Sequence, residues 1–108
     1  MLRLAFVGKK LKNMNEKLFE KKLRENVKKL GGLALKIWCA SFTGLPDRLV
    51  LMPGGKIYFV ELKSTGKKPT PRQTKVHEML RGLGFTVEVV DCLIELELFI
   101  FHIKLNRL

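Results

Sequence analysis

Between residues 15 and 30 the apolar residues Leu18, Leu23, Val27 and Leu30 recur at spacings near three and four, and Lys, Arg and Glu fill the gaps. That periodicity predicts an amphipathic helix with Asn15 as its N-cap and Gly31-Gly32 as its end. "LALKIW" (33–38) reads as a strand, and "ASFTGLP" is punctuated as a loop. "RLVLM" and "KIYFVEL" are apolar on both faces and are separated by Pro53-Gly54-Gly55, which predicts a central hairpin covered on both sides. After the polar loop "STGKKPTP", Thr70 and Pro71 supply the cap and first position of a helix to about Gly82, with Val76, Met79, Leu80 and Leu83 inward. "FTVEVV" alternates and reads as a strand. Residues 92–108 mix both periods and suggest a short helix followed by an extended tail. The order α-β-β-β-α-β predicts an α/β fold, a small mixed central sheet flanked by helices.

The chain of 108 residues is the size of one domain, and its 46% hydrophobic content suffices for a core. Met14 opens a natural domain start, so residues 1–13 read as an N-terminal extension, loose or added as an edge strand, and 14–108 as a single domain. The apolar start "MLRLAFVG" is too short to span a bilayer and lacks a small-residue cleavage site. No signal peptide and no membrane partner are expected. Cys39 and Cys92 stand in no metal-ligand spacing, and both are expected as buried free thiols in a reducing cytoplasm.

The formal net charge is +11 with a pI near 10.0, which points to a polyanionic partner. Residues 1–30 carry ten Lys/Arg against three acids. Arg48, Lys67, Lys68, Arg72 and Lys75, with Lys21, Lys22, Lys28 and Lys29 on the first helix, are candidate phosphate contacts. No zinc finger or RNP motif is present, so sequence-specific readout is not expected. His77 is expected on a helix surface and Trp38 in the core.

Three charges violate the strand pattern: Asp47 at the mouth of the first hairpin strand, Glu61 and Lys63 at the end of the second. Side chains alternate along a strand, so Glu61 and Lys63 share a face. A three-residue turn at 53–55 pairs 52 with 56 and therefore 47 with 61, whereas a two-residue loop opposes Asp47 to Leu62 and disperses the charges. The three-residue register is the one expected, and opposed residues then lie about 4.5–5.5 Å apart at Cβ. Two carboxylates that close repel, and a divalent cation relieves the conflict. Asp47 and Glu61 are thus candidate ligands for Mg²⁺ or Mn²⁺, with the Leu62 carbonyl a further one. Lys63 is placed to hold a water or steady the charge that develops on a phosphate.

Pro46-Asp47 … Glu61-Leu62-Lys63 resembles the PD-(D/E)xK nuclease motif. More closely, "GLPDR", "GGKIYFVELK", "TGKKPTPRQ" and "LGFTVEVVD", over about residues 16–91, resemble the virus-type replication-repair nuclease (VRR-NUC) domain. The resemblance implies a restriction-endonuclease-like fold and metal-dependent hydrolysis of DNA phosphodiesters. Stand-alone phage and bacterial members are small homodimers acting on branched DNA such as Holliday junctions, which implies a cytoplasmic setting in a bacterial or phage-infected cell. It also implies an acid on the first helix, best matched by Glu20 with Glu16 one turn earlier as the fallback. A glutamine is implied after the ExK strand, here Gln73. The dimer contact is expected at the apolar tail near Phe99–Ile103. A non-catalytic DNA-binding or structural module with the same fold is the alternative, and a membrane-surface role for the basic first helix is a weaker one.

Overall fold

The computed structural model describes residues 16–106. The expected extension over 1–13 and the cap at Asn15 lie outside the described residues. Helix α1 (Glu16–Lys29) is followed by strand β1 (Leu33–Lys36), then β2 (Arg48–Met52) and β3 (Lys56–Leu62). Helix α2 (Pro71–Gly82), strand β4 (Thr86–Val90) and helix α3 (Leu93–Leu105) complete the chain. The strands lie in the order β1-β2-β3-β4, antiparallel from β1 to β3, with β4 parallel to β3. A parallel partner requires a crossover, and α2 is that crossover.

The hairpin register is set by the three residues Pro53–Gly55, because Met52 pairs with Lys56 and Arg48 with Val60. Gly54 and Gly55 both have positive φ (84° and 74°), a pair of left-handed positions that only glycine adopts without strain.

One face of the sheet carries the core. Val50, Met52, Tyr58, Val60, Leu62 and Val90 are buried there with Phe19, Leu23, Val27 and Leu30 of the α1 region and Leu96, Phe99 and Ile103 of α3. Each such side chain contributes on the order of 1.5–3 kcal/mol by leaving water. Phe19, not Leu18, starts the buried stripe of α1, since Leu18 is exposed. The opposite face is only partly covered, which corrects the expectation of cover on both sides. There α2 lies over Glu61, while Leu33, Leu35 and Ile57 stay exposed.

Four further expectations are corrected. The C-terminal segment is a helix of 13 residues, not a short helix with an extended tail. Its alternation of Leu and Glu mimics a strand, but burial at Leu96, Phe99 and Ile103 follows the helical period. Tyr58 meets the Phe99 ring edge-on at 5.8 Å. Helix α2 buries Val76 and His77, while Met79 and Leu83 are exposed. Strand β1 stops at Lys36, so Trp38 falls in the following loop, 85% exposed instead of in the core. Cys39 in that loop is exposed too, whereas Cys92 is buried as expected.

Candidate active site at the open end of the hairpin

Past the last pairs of the ladder, Asp47 and Glu61 stand opposite each other. The Asp47 N–H donates to Glu61 Oε1 at 3.2 Å, and the Leu62 N–H donates to Asp47 Oδ1 at 3.3 Å. Each carboxylate is therefore tied to the backbone of the other's strand. β1 extends the row, with the Ile37 N–H donating to the Asp47 carbonyl at 2.9 Å. Glu61 and Lys63 share a face as alternation requires, and Lys63 Nζ lies 3.1 Å from Glu61 Oε2.

Helix α2 closes the site from above. Its N-terminus is a capping box: Thr70 Oγ1 accepts from the Gln73 N–H at 3.1 Å, and Gln73 Oε1 accepts from the Thr70 N–H at 2.9 Å. The other end of the same amide donates from Nε2 to Glu61 Oε2 at 3.1 Å. One side chain thus caps the helix and orients the acid.

Four residues on from Gln73, on the same face of α2, is His77. It is 2% exposed, which corrects the expectation of a surface residue. Its Nε2 lies 3.9 Å from Glu61 Oε1 and is buried without a hydrogen-bond partner. Burial, with the positive charges of Arg81 and Lys63, pushes its pKa down, so the imidazole is neutral at pH 7. The i, i+4 spacing from Gln73 places it on that face of the helix but does not by itself mark it as buried.

Burial and the neighbouring Glu61 push the Asp47 carboxyl up to about 6, against the smaller opposing effects of the Leu62 N–H and Arg48. A second negative charge beside Glu61 is thus disfavoured in the metal-free site. Its donors are all oxygen, namely Asp47, Glu61 and the carbonyl of Leu62 between Glu61 and Lys63. That set fits a hard divalent cation.

The first-helix acids divide. Glu20 is held by Arg24 at 2.6 Å and lines a cavity with Glu16, Lys17, Lys36 and Arg48. Glu16, the fallback, is the one whose charge acts on Asp47. Arg48 is mostly buried, its Nε 3.9 Å from Asp47 Oδ1 and without a hydrogen bond, so it offsets the acid more than it faces solvent. Arg72 clamps the loop before Asp47, donating from Nε to the Thr43 carbonyl at 3.2 Å with its guanidinium 5.1 Å above the Phe42 ring. Lys67, Lys68 and Lys75 are exposed. Asp91, Cys92 and Glu95 also gather within 4.8 Å. Glu95 Oε1 there accepts from the Asp91 N–H and the Cys92 thiol, which ties the first turn of α3 to the residues just before it.

A small mixed sheet with two acids and a lysine converging at one strand end defines a nuclease-type α/β domain. Comparison with known proteins agrees. The VRR-NUC domain model matches residues 5–92. The chain is 47% identical over 78 residues to "Putative nuclease p44" of Acyrthosiphon pisum secondary endosymbiont phage 1, covering 72% of this chain and 84% of that protein. A solved VRR_NUC domain superposes with a TM-score of 0.75 at 38% identity, covering 81% of this chain and 95% of the other. The chain belongs to the VRR-NUC domain family.

Proposed function

We propose that this nuclease is a DNA endonuclease dependent on Mg²⁺ or Mn²⁺, with Asp47, Glu61 and the Leu62 carbonyl as metal ligands. The observation that carries the reading is the reciprocal pair of hydrogen bonds that faces Asp47 onto Glu61, with Lys63 and Gln73 both on Glu61 Oε2. When bound, the ion supplies an acidified water and neutralises charge on the phosphate.

The chain's own residues do the rest. Gln73 and Lys63 hold the Glu61 carboxylate in one orientation. The Lys63 ammonium also offers protons to a phosphate oxygen as its charge grows. His77, neutral and buried, adds no cation to compete for the acids. Glu16 or Glu20 completes the outer side of the site, and the Coulombic reach of Glu16 to Asp47 favours Glu16. Lys67, Lys68, Arg72 and Lys75 position the backbone of the nucleic acid without reading bases.

The substrate is branched DNA, such as a Holliday junction, and the active species is a homodimer that presents two sites to two strands. Phe99 and Ile103, expected at the dimer contact, are buried within the chain. The exposed apolar stripe of α3 is instead Ile94, Leu98, Phe101 and Leu105. The setting is the cytoplasm of a bacterial or phage-infected cell. Among the described residues no helix is long and apolar enough to cross a membrane.

A cleavage panel of junction, flap, splayed-arm and linear duplex DNA, each with Mg²⁺, Mn²⁺ or chelator, tests the reading. Cutting that requires metal and disappears in Asp47→Ala and Glu61→Ala, with DNA binding retained, is expected. Tight binding without cutting in any metal would make the chain a non-catalytic DNA-binding module.

A further inference from the structure

We propose that Trp38 is a nucleobase-stacking residue that selects an unpaired or splayed base beside the scissile phosphate; this rests on the nuclease reading above. Three observations carry it. First, Trp38 is the most exposed large apolar side chain among the described residues, at 85%. Second, its position is fixed relative to the chemistry. It follows Ile37, whose N–H is bonded to the Asp47 carbonyl, so strand spacing and rise put its Cα on the order of 6 Å from that of the metal-binding acid.

Third, the loop that presents it is pinned. Arg72 holds the loop through the Thr43 carbonyl and the Phe42 ring. Gly44, with φ +90°, sits so close to α2 that a Cβ there would meet Val76 Cγ2 at 2.9 Å. These contacts hold residues 42–44, and the Ile37 N–H holds the chain on the other side, so the segment bearing Trp38 is tethered at both ends.

An indole in isolation suits many partners, and the charge around this one narrows the choice. Lys36, exposed, precedes it by two residues, and the loop is anchored by a second cation, Arg72. An apolar protein surface is poorly matched to that field. A polyanion with flat aromatic faces is well matched, and cationic grooves with aromatic platforms are how single-stranded nucleic acid is held without sequence preference. A base inside a duplex is already stacked on both sides. Only a base at a fork, flap, junction or end has a face to offer, so the contact favours branched over continuous DNA.

The chain has a single tryptophan, so its tryptophan emission, excited selectively over that of Tyr58, reports this residue alone. The experiment titrates the full chain, in chelator, with a splayed-arm DNA and with a blunt duplex of equal length. Tryptophan emission and the anisotropy of end-labelled DNA are followed together. The expected result is water-exposed emission in the free protein, strong quenching by the splayed arm and little by the duplex. Trp38→Ala should weaken splayed-arm binding by about 10-fold while changing duplex binding by less than about 2-fold, and Trp38→Phe should restore most of the loss. DNA binding with unchanged emission overturns the inference, as does equal weakening on both substrates. Blue-shifted emission in the free protein also overturns it, because the indole is then covered by a second copy. In all three cases metal-dependent cleavage of duplex by Trp38→Ala leaves the nuclease reading standing. Failure of the wild type to bind either DNA removes both.

Discussion

Asp47, half-buried, and His77, buried, lie in the same site and pull the metal-free protein in opposite directions with pH. The Asp47 carboxyl titrates near 6 in the fold and near 4 in the unfolded chain. The folded state therefore binds the extra proton, and this group adds stability as pH falls from about 6 towards 4. His77 is the reverse. Its pKa is lowered by burial, so the unfolded chain takes up the proton first and stability is lost as pH falls through the ordinary imidazole range near 6.5. Thermal melts in chelator separate the two. Asp47→Asn should raise Tm at pH 7.5, with the advantage gone by about pH 4. His77→Gln should gain on the wild type as pH drops from 7 to 5. Added Mg²⁺ should stabilise the wild type and leave Asp47→Asn unmoved; equal shifts in both would remove Asp47 as a ligand. The acids and the lysine were legible in the sequence because they broke an apolar strand. His77 was not, because a single histidine on a polar helix has the same appearance whether it faces water or a carboxylate.

Among the elements, α2 couples stability to the site through one amide. Gln73 completes the capping box and holds Glu61, so its two roles come apart under substitution. Thr70→Ala removes the cap and should cost about 1 kcal/mol of stability while leaving Glu61 its amide and cleavage within a few-fold. Gln73→Glu keeps a good cap residue at N3 but sets a carboxylate against a buried one. Its cleavage rate should fall at least about 10-fold, a loss of over 1.4 kcal/mol in the barrier, with unfolding in urea and single-turnover cleavage as the paired measurements. Equal activity in the two variants would reduce Gln73 to a capping residue. Helix α1 and strand β4, each with one clear period, and the hairpin, bounded by its turn glycines, were legible from residue patterns. Helix α3 was not, because its hydrophobic residues surround it. Only the Tyr58 ring and the α1 stripe decide which third of them is buried. Trp38 was misjudged for a related reason: hydrophobicity argues for burial, but β1 ends at Lys36 before the chain reaches covered ground.

At the scale of the molecule, two apolar surfaces have no partner within the described chain: the stripe Ile94, Leu98, Phe101, Leu105 on α3, and the sheet face bearing Leu33, Leu35 and Ile57. Monomeric proteins seldom leave contiguous surfaces of this kind open. The α3 stripe has spacings of four, three and four, the seam of a helix pair, and a two-fold axis across it makes the patch its own complement. The sheet face shares its side of the sheet with Asp47 and Glu61, so a copy docked there would crowd the route by which DNA reaches the acids. A homodimer through α3 leaves both sites open. A glutamate at Leu98 desolvates a charge in such a seam, so Leu98→Glu should shift the chain from dimer to monomer in sedimentation at micromolar concentration. Leu35→Glu, on the sheet face, should leave the dimer intact. Because a four-way junction offers two cut positions to one dimer, Leu98→Glu should lose paired incision of the junction while still cutting a flap. Dissociation by Leu35→Glu instead would move the interface to the sheet, and a wild type that sediments as a monomer yet resolves junctions at full rate would remove the dimer from the mechanism.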